Sequence, residues 1–409
     1  MWEFNYGEWT EAYVFLRLLE SGKIYGADSN FQKDENVYMD IISILRHERD
    51  HILEFERMLE EAKIKASDNG EVFKVLTYTE VFAKASYLYD TIRNISSSDR
   101  KFSIPEIEDY LTELKFSQPK APAMQKDIAD KYGAKSDIVI KVRDSIDHIV
   151  STLGFSIKSH LGQASTLFNS AKSSNLKFKV IGCTDDIMAQ INCDEIDSEQ
   201  GIFAFIKKSD GLSLEFQCTS QQFTDNLDLV DCRMPEVFAN IMLIQLGYMG
   251  KPQSRQTADL VAQLAELNPL NVRRPEVWYE SKIKQFLFDS FAGLTASKPW
   301  DGRRRLSGGY IDVDKAGEML YYRAVSDDIF ESYLFEHTFF DRPARGINKE
   351  VARAKAIAYK ENKVLSEDEI YCVECGGGKS KKPVKGDWGY IYKENGEYFI
   401  NVNFQVRFK

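Results

Sequence analysis

No run in the 409 residues approaches the roughly 20 consecutive apolar residues that a membrane-spanning helix needs, so a helical span is excluded as an organising feature. The opening stretch MWEFN holds neither a basic segment nor an apolar one; no secretory leader is expected, and the site of action is expected to be the cytoplasm. Cysteine is sparse for this length. Cys183, Cys193, Cys218, Cys232, Cys372 and Cys375 are scattered rather than packed into a framework, which excludes a disulfide-stapled scaffold and implies reduced thiols. Positive charge is in deficit: 53 Lys and Arg face 63 Asp and Glu, a formal net charge of -10. That excludes a protein that coats nucleic acid indiscriminately, since phosphate binding rests on Lys and Arg. It leaves room for an enzyme that gathers its positive charge in one cleft. Gly378-Lys379-Ser380 lacks the upstream glycine of a phosphate loop, because Val373 stands there, and no nucleoside triphosphate site is expected.

Two short runs carry the chemistry. DIVIKV, opening on Asp137, alternates polar with β-branched residues at the period of a half-buried strand. LGFSIKS, from Leu153, repeats the alternation, so Ser156 and Lys158 share one face while Phe155 and Ile157 share the other. Phosphodiester hydrolysis needs hard cations held by carboxylate and carbonyl oxygens, with a positive charge near the attacking water. Asp137 is a candidate metal ligand, the Ile157 carbonyl a candidate further ligand, and Lys158 a candidate to orient the water. An acid followed by x-Lys on the next strand resembles the PD-(D/E)xK nuclease signature. The departure is Ser156, where that superfamily usually carries a carboxylate. The missing acid must come from elsewhere, and GEWTE, which opens an apolar-periodic helix, offers Glu8 and Glu11 three residues apart on one helical face, with Glu11 slightly favoured.

Four blocks in order, GEWTEAYVFLRLLESGKIYGAD, GFSIKSHLGQASTLFNSAKSSN, GGYIDVDKAGEMLYYRAVSDDIFESYLFEHTFFDRP and NVNFQVRF, resemble the HpaII family of type II restriction endonucleases across nearly the whole chain. Asp137, Ser156, Lys158 and the GEWTE acids point to magnesium-dependent hydrolysis of both strands of DNA at a short site; the resemblance implies a CCGG-like palindrome and a protecting DNA methyltransferase as genetic partner, and a palindromic site suggests a homodimer. The resemblance also places Gln163, Ser165, Thr166 and Asn169 beside the DNA backbone, where their side chains can donate to phosphate. The rival reading is a sequence-specific DNA-binding protein without catalysis, because Ser156 replaces the usual carboxylate.

The expected fold is α+β: a restriction-endonuclease-like core sheet flanked by helices, with an N-terminal helical region and a β-rich C-terminal region. Four parts are expected, at 1–120, 121–232, 233–299 and 300–409, the last with an insertion near 346–388. Within the first part, Ile41, Ile44, Leu45, Ile52, Phe55, Met58 and Leu59 suggest one long amphipathic helix over 37–64. That helix would carry His47-Glu48-Arg49-Asp50-His51, a match to the H-E-x-x-H zinc peptidase motif, here expected to be a solvated face because no third ligand follows. Further helices are expected at 78–94, 104–114 and 124–132, and the SQPKAP stretch from Ser117 is expected to break the chain near residue 120. The densest basic spot, Arg303, Arg304 and Arg305, can pair with guanine or phosphate. The last strand, expected as one piece over 398–408, places Asn403, Gln405 and Arg407 on a polar face toward DNA. Cys372 and Cys375 form one C-x-x-C, half a zinc site with no matching half.

Overall fold

The computed structural model describes residues 2–95, 101–122, 125–133, 136–162, 165–193, 198–251, 254–304, 306–323, 328–343, 347–374 and 387–409. The fold is mixed α and β, and the chain divides into two compact units, each assembled from separated stretches: 1–165 with 303–333, and 166–302 with 334–409.

The first unit is built on a helix and one large sheet. Helix α1 (Tyr6–Ser21) starts at an Asn5 capping box in which Glu8 N–H donates to Asn5 Oδ1 and the Glu8 carboxylate accepts from Asn5 N–H, and it ends at Gly22 with φ 71°. The sheet strands are β1 (Lys23–Ala27), β2 (Lys33–His47), β3 (Ile52–Met58), β4 (Lys63–Asp68), β5 (Glu71–Thr77), β6 (Ile138–Asp144) and β7 (Val150–Ser159), joined by β11 (Gly309–Val313) and β12 (Met319–Arg323). Their order is β1-β12-β11-β7-β6-β2-β3-β4-β5, and β1 also pairs with β2, so six of the strands close on themselves while β3 to β5 extend outward. Trp9, Val14, Leu16 and Leu18 of α1 pack into one core with Ile44, Phe55, Ile140, Phe155 and Ile157 of the sheet. Burial of this many large apolar side chains is the main force holding α1 against the sheet. Helices α2 (Tyr78–Asn94), α3 (Pro105–Glu113) and α4 (Lys126–Tyr132) follow, and α11 (Asp328–Glu336) packs Phe330 and Tyr333 on Tyr310 and Tyr322.

The expected helix over 37–64 is not formed. That segment is most of β2 and all of β3, an antiparallel pair meeting at Ser43↔Glu56 to His47↔Ile52. The reason for the misreading lies in β2: its register with β6 shifts between Ile41 and Ser43, a β-bulge, so buried positions fall at Met39, Ile41, then Ser43 and Ile44. One extra residue in a period-two strand imitates helical spacing locally.

The second unit has a sheet of order β10-β9-β15-β14 and another of order β13-β16-β8, from β8 (Thr166–Phe168), β9 (Leu176–Ile181), β10 (Ser213–Cys218), β13 (Thr338–Asp341), β14 (Ile391–Glu394), β15 (Glu397–Val402) and β16 (Gln405–Phe408). Its helices are α5 (Asp185–Asn192), α6 (Glu199–Lys208), α7 (Gln221–Asp228), α8 (Met234–Gln245), α9 (Thr257–Leu267), α10 (Pro275–Ala292), α12 (Ile347–Lys360) and α13 (Glu367–Glu374). Phe168, Phe223, Phe238, Phe286 and Phe404 stack edge and face in its centre. The expected single closing strand is two, β15 and β16, in different sheets, broken at Asn403 and Phe404.

Candidate active site

Strand β6 begins one residue after Asp137, and β7 runs on past it. The Asp137 carboxylate fills the place of the missing ladder partner: its Oδ2 accepts from Ile157 N–H at 2.7 Å and from Ser156 Oγ at 3.0 Å. Asp137 N–H in turn donates to Phe155 carbonyl at 2.8 Å. Ser156 therefore serves as a donor that fixes the Asp137 carboxylate, and it is 5% exposed. Both donors converge on one oxygen of the carboxylate. Gly154, upstream on β7, is required by close packing: a Cβ there would lie 2.3 Å from the Tyr132 carbonyl.

Glu8 and Glu11 separate in role. Glu8 is spent on the α1 cap and on Lys120, whose Nζ lies 2.5 Å from Glu8 Oε1. Glu11, one turn on, lines a cavity of about 20 Å³ with Asp137, Arg46, His47 and Ala121, room for one water or one ion. Its Oε2 accepts from Ala121 N–H at 2.8 Å. Burial, and then the Asp137 carboxylate, push the Glu11 carboxyl up to about 8, against the pull of Arg46 and Lys158. Thr10 sets the phase of α1: its hydroxyl donates to Tyr6 carbonyl and shares a 2.9 Å hydrogen bond with the Ser159 hydroxyl, tying the helix to β7 beside the acids.

The SQPKAP stretch is a strap along this site. Arg46, 9% exposed, lies 3.9 Å over the Phe116 ring and donates to the carbonyls of Gln118 and Lys120 at 2.7 and 2.6 Å. Glu48 accepts from Arg46 Nε at 2.7 Å and from Ser117 Oγ at 2.6 Å. So the H-E-x-x-H match is neither a helix nor a solvated face: Glu48 is a strap anchor, and the 47–51 segment is the end of β2 and a turn. Both ring nitrogens of His47 and Nε2 of His51 are buried with no partner among the described residues, and burial holds His47 below its usual range. The peptidase reading is excluded by this backbone. Among the described residues no three His, Cys, Asp or Glu side chains gather as a metal cluster.

The other candidates disperse. Ser165 is half-buried, Thr166 opens β8 opposite Arg407, Asn169 is exposed, and Gln163 lies outside the described residues. Arg303 and Arg304 are exposed, and Arg305 lies outside the described residues. Asn403 is 1% exposed and turned inward, donating to Ala171 carbonyl and Asn175 Oδ1 and accepting from Ser174 Oγ. That internal bonding corrects its expected place on a DNA-facing surface. Gln405 and Arg407 both reach Asp341. Cys372 falls on α13 and Cys375 lies outside the described residues. Sequence reasoning missed Thr10, Arg46, Ala121 and Ser159. Only the proximity of Thr10 to the GEWTE acids and of Ser159 to Lys158 could have signalled them.

The sheet seats Asp137 and Ser156-x-Lys158 at the open end of the β6–β7 pair, with the helix-borne Glu11 beside Asp137. Residues 5–349 match the HpaII restriction endonuclease family. The chain is 33% identical over 410 residues to Type II restriction enzyme HpaII of Haemophilus parainfluenzae, covering 99% of this chain and 98% of that protein. No solved structure matches it. The chain belongs to the HpaII restriction endonuclease family, and it is a type II site-specific deoxyribonuclease.

Proposed function

We propose that the enzyme cuts both strands of DNA at a CCGG-like palindrome by magnesium-dependent hydrolysis on the Asp137 and Lys158 face. The observation that carries this reading is the convergence of Glu11 and Asp137 on one small cavity, with Lys158 near enough to act on Glu11. The fit to a cation is chemical: Asp137 and Glu11, the latter pushed up to about 8 by burial and then by the Asp137 charge, form an all-oxygen donor pair. Mg²⁺ suits such a site, since it takes one or two carboxylates and completes its shell with water and substrate phosphate. When bound, the ion would neutralise charge on the scissile phosphate and lower the pKa of an attacking water.

The chain's own residues do the rest. Asp137 and Glu11 hold the ion, with the Ile157 carbonyl as a further oxygen. Ser156 and Ile157 N–H fix the Asp137 rotamer. Lys158 presents its ammonium to the water and to the phosphate oxygens. A palindromic site fits a twofold homodimer, each copy cutting one strand. Arg303, Arg304, Arg305, Gln405 and Arg407 are the side chains we assign to the DNA, with Gln163, Ser165, Thr166 and Asn169 on the backbone. A host that survives such an enzyme needs a DNA methyltransferase of the same specificity, and the pair acts in the cytoplasm. No described helix is long and apolar enough to cross a membrane.

Digestion of a plasmid with magnesium or with EDTA tests the reaction. Discrete fragments only with magnesium are expected. Tight, selective binding without cleavage under both conditions would favour the non-catalytic reading.

A further inference from the structure

The face that carries Ser156 and Lys158 continues to a charged pair that the reaction above does not use. Strand β7 runs parallel to β11 in the register Tyr310↔Ser156 and Asp312↔Lys158, and residues so matched point to the same side of a sheet. His160 N–H donates to Val313 carbonyl at 2.9 Å, extending the ladder past the end of β7 and setting the imidazole on that side too, two residues beyond Lys158. There His160 Nε2 meets Asp312 Oδ1 at 2.9 Å, with side-chain exposures of 21% and 15%. The same carboxylate oxygen accepts from Tyr310 O–H at 2.7 Å, and Tyr310 lies 3.5 Å from Tyr333 O–H. Tyr310 is fully buried and Tyr333 2% exposed, so Asp312 sits in a fixed cage of hydroxyls, open toward the imidazole. A carboxylate on one ring nitrogen stabilises the doubly protonated, cationic ring and fixes its plane.

We propose that Asp312 holds His160 as a second cationic contact of the cleavage face, reaching the DNA phosphate next to the one that Lys158 serves. The inference rests on the reading of that face as the cleavage face. Two residues along a strand advance about 6.6 Å, a step of the same order as that between successive phosphates of one DNA strand. His160 is then a binding residue and Asp312 a positioning residue. Tyr310 and Tyr333 fix the carboxylate, and Lys158 is the neighbouring cation on the same face. Because the contact is to phosphate, it strengthens cognate and non-cognate binding alike.

The test is duplex binding by the full chain with calcium in place of magnesium, over a series of salt concentrations, for His160→Gln, His160→Lys, Asp312→Asn and the His160→Gln/Asp312→Asn double variant. His160→Gln should weaken binding to CCGG and scrambled duplexes about equally, roughly tenfold, and should flatten the slope of log affinity against log salt by about 0.9. His160→Lys should keep the slope. Asp312→Asn should flatten it in the wild-type background and add nothing in the His160→Gln background, because its effect passes through the imidazole. An unchanged slope in His160→Gln, or full additivity in the double variant, overturns the proposal and leaves the pair as a latch between β7 and β11. Failure of the underlying face would show separately, as undiminished cutting by Lys158→Ala in magnesium.

Discussion

At the scale of single residues, the site divides its work unequally. Asp137 is assigned the metal and Lys158 the attacking water, so Asp137→Ala and Lys158→Ala should each lower the single-turnover cleavage rate on the order of 10³-fold or more. Ser156 acts through Asp137 with one hydrogen bond, and Ser156→Ala should cost only about tenfold to a hundredfold, the scale of one bond to a charged group. Equal losses for Ser156→Ala and Asp137→Ala would contradict that ranking. Glu11 gives a readout independent of cutting. Its carboxyl is pushed from an ordinary 4.5 to about 8, so without metal the folded chain keeps a proton that the unfolded chain releases. Stability in EDTA should therefore fall as pH rises from about 4.5 to about 8, and Glu11→Gln should remove that part of the slope. Denaturation midpoints across this range decide it; parallel slopes for the two proteins would show that Glu11 is not the titrating group. The sequence offered Asp137, Ser156 and Lys158 through alternation alone, since period two fixes which side chains share a face. It left Glu8 and Glu11 open, because helix phase is set by a tertiary contact, Thr10 to Ser159, that spans most of the first unit's chain.

At the scale of elements, the strap at residues 117–122 is the least legible feature. Its prolines correctly signalled an interruption of helix, but the partners that hold it, Arg46 and Glu48, lie some seventy residues earlier on a strand end. Arg46→Ala would leave Glu48 buried without its cation and should destabilise the protein by about 3–5 kcal/mol in denaturant titrations. It should also raise the magnesium concentration needed for half-maximal cleavage, because the strap delivers Ala121 N–H to Glu11. A stability change under 1 kcal/mol, as for a surface pair, would contradict the clamp. Elsewhere, elements with uninterrupted patterns were readable: α2, α3 and α4 form within the helices expected over 78–94, 104–114 and 124–132. The β2–β3 pair was not, because the bulge at Ile41 to Ser43 breaks the one signal by which a strand is recognised.

At the scale of the whole molecule, a net charge of -10 means that DNA is drawn in only where cations are concentrated, and Lys158 and the Arg303 and Arg304 segment, which we assign to the DNA, belong to the first unit. Weak general attraction suits an enzyme that must ignore nearly all DNA and cut one short site. Base choice itself was beyond the sequence, since Asn403, which alternation placed beside Gln405 and Arg407, is instead an internal tie of the second unit. The central claim is that the Asp137 and Lys158 face hydrolyses DNA at a CCGG core with a bound divalent cation. It is tested most directly by sequencing the ends of genomic DNA digested by the wild-type chain and by Asp137→Ala, each with magnesium and with EDTA. The account predicts ends within CCGG for the wild type in magnesium and none in the other three digests; ends at any other core, or the same ends from Asp137→Ala or in EDTA, would contradict it.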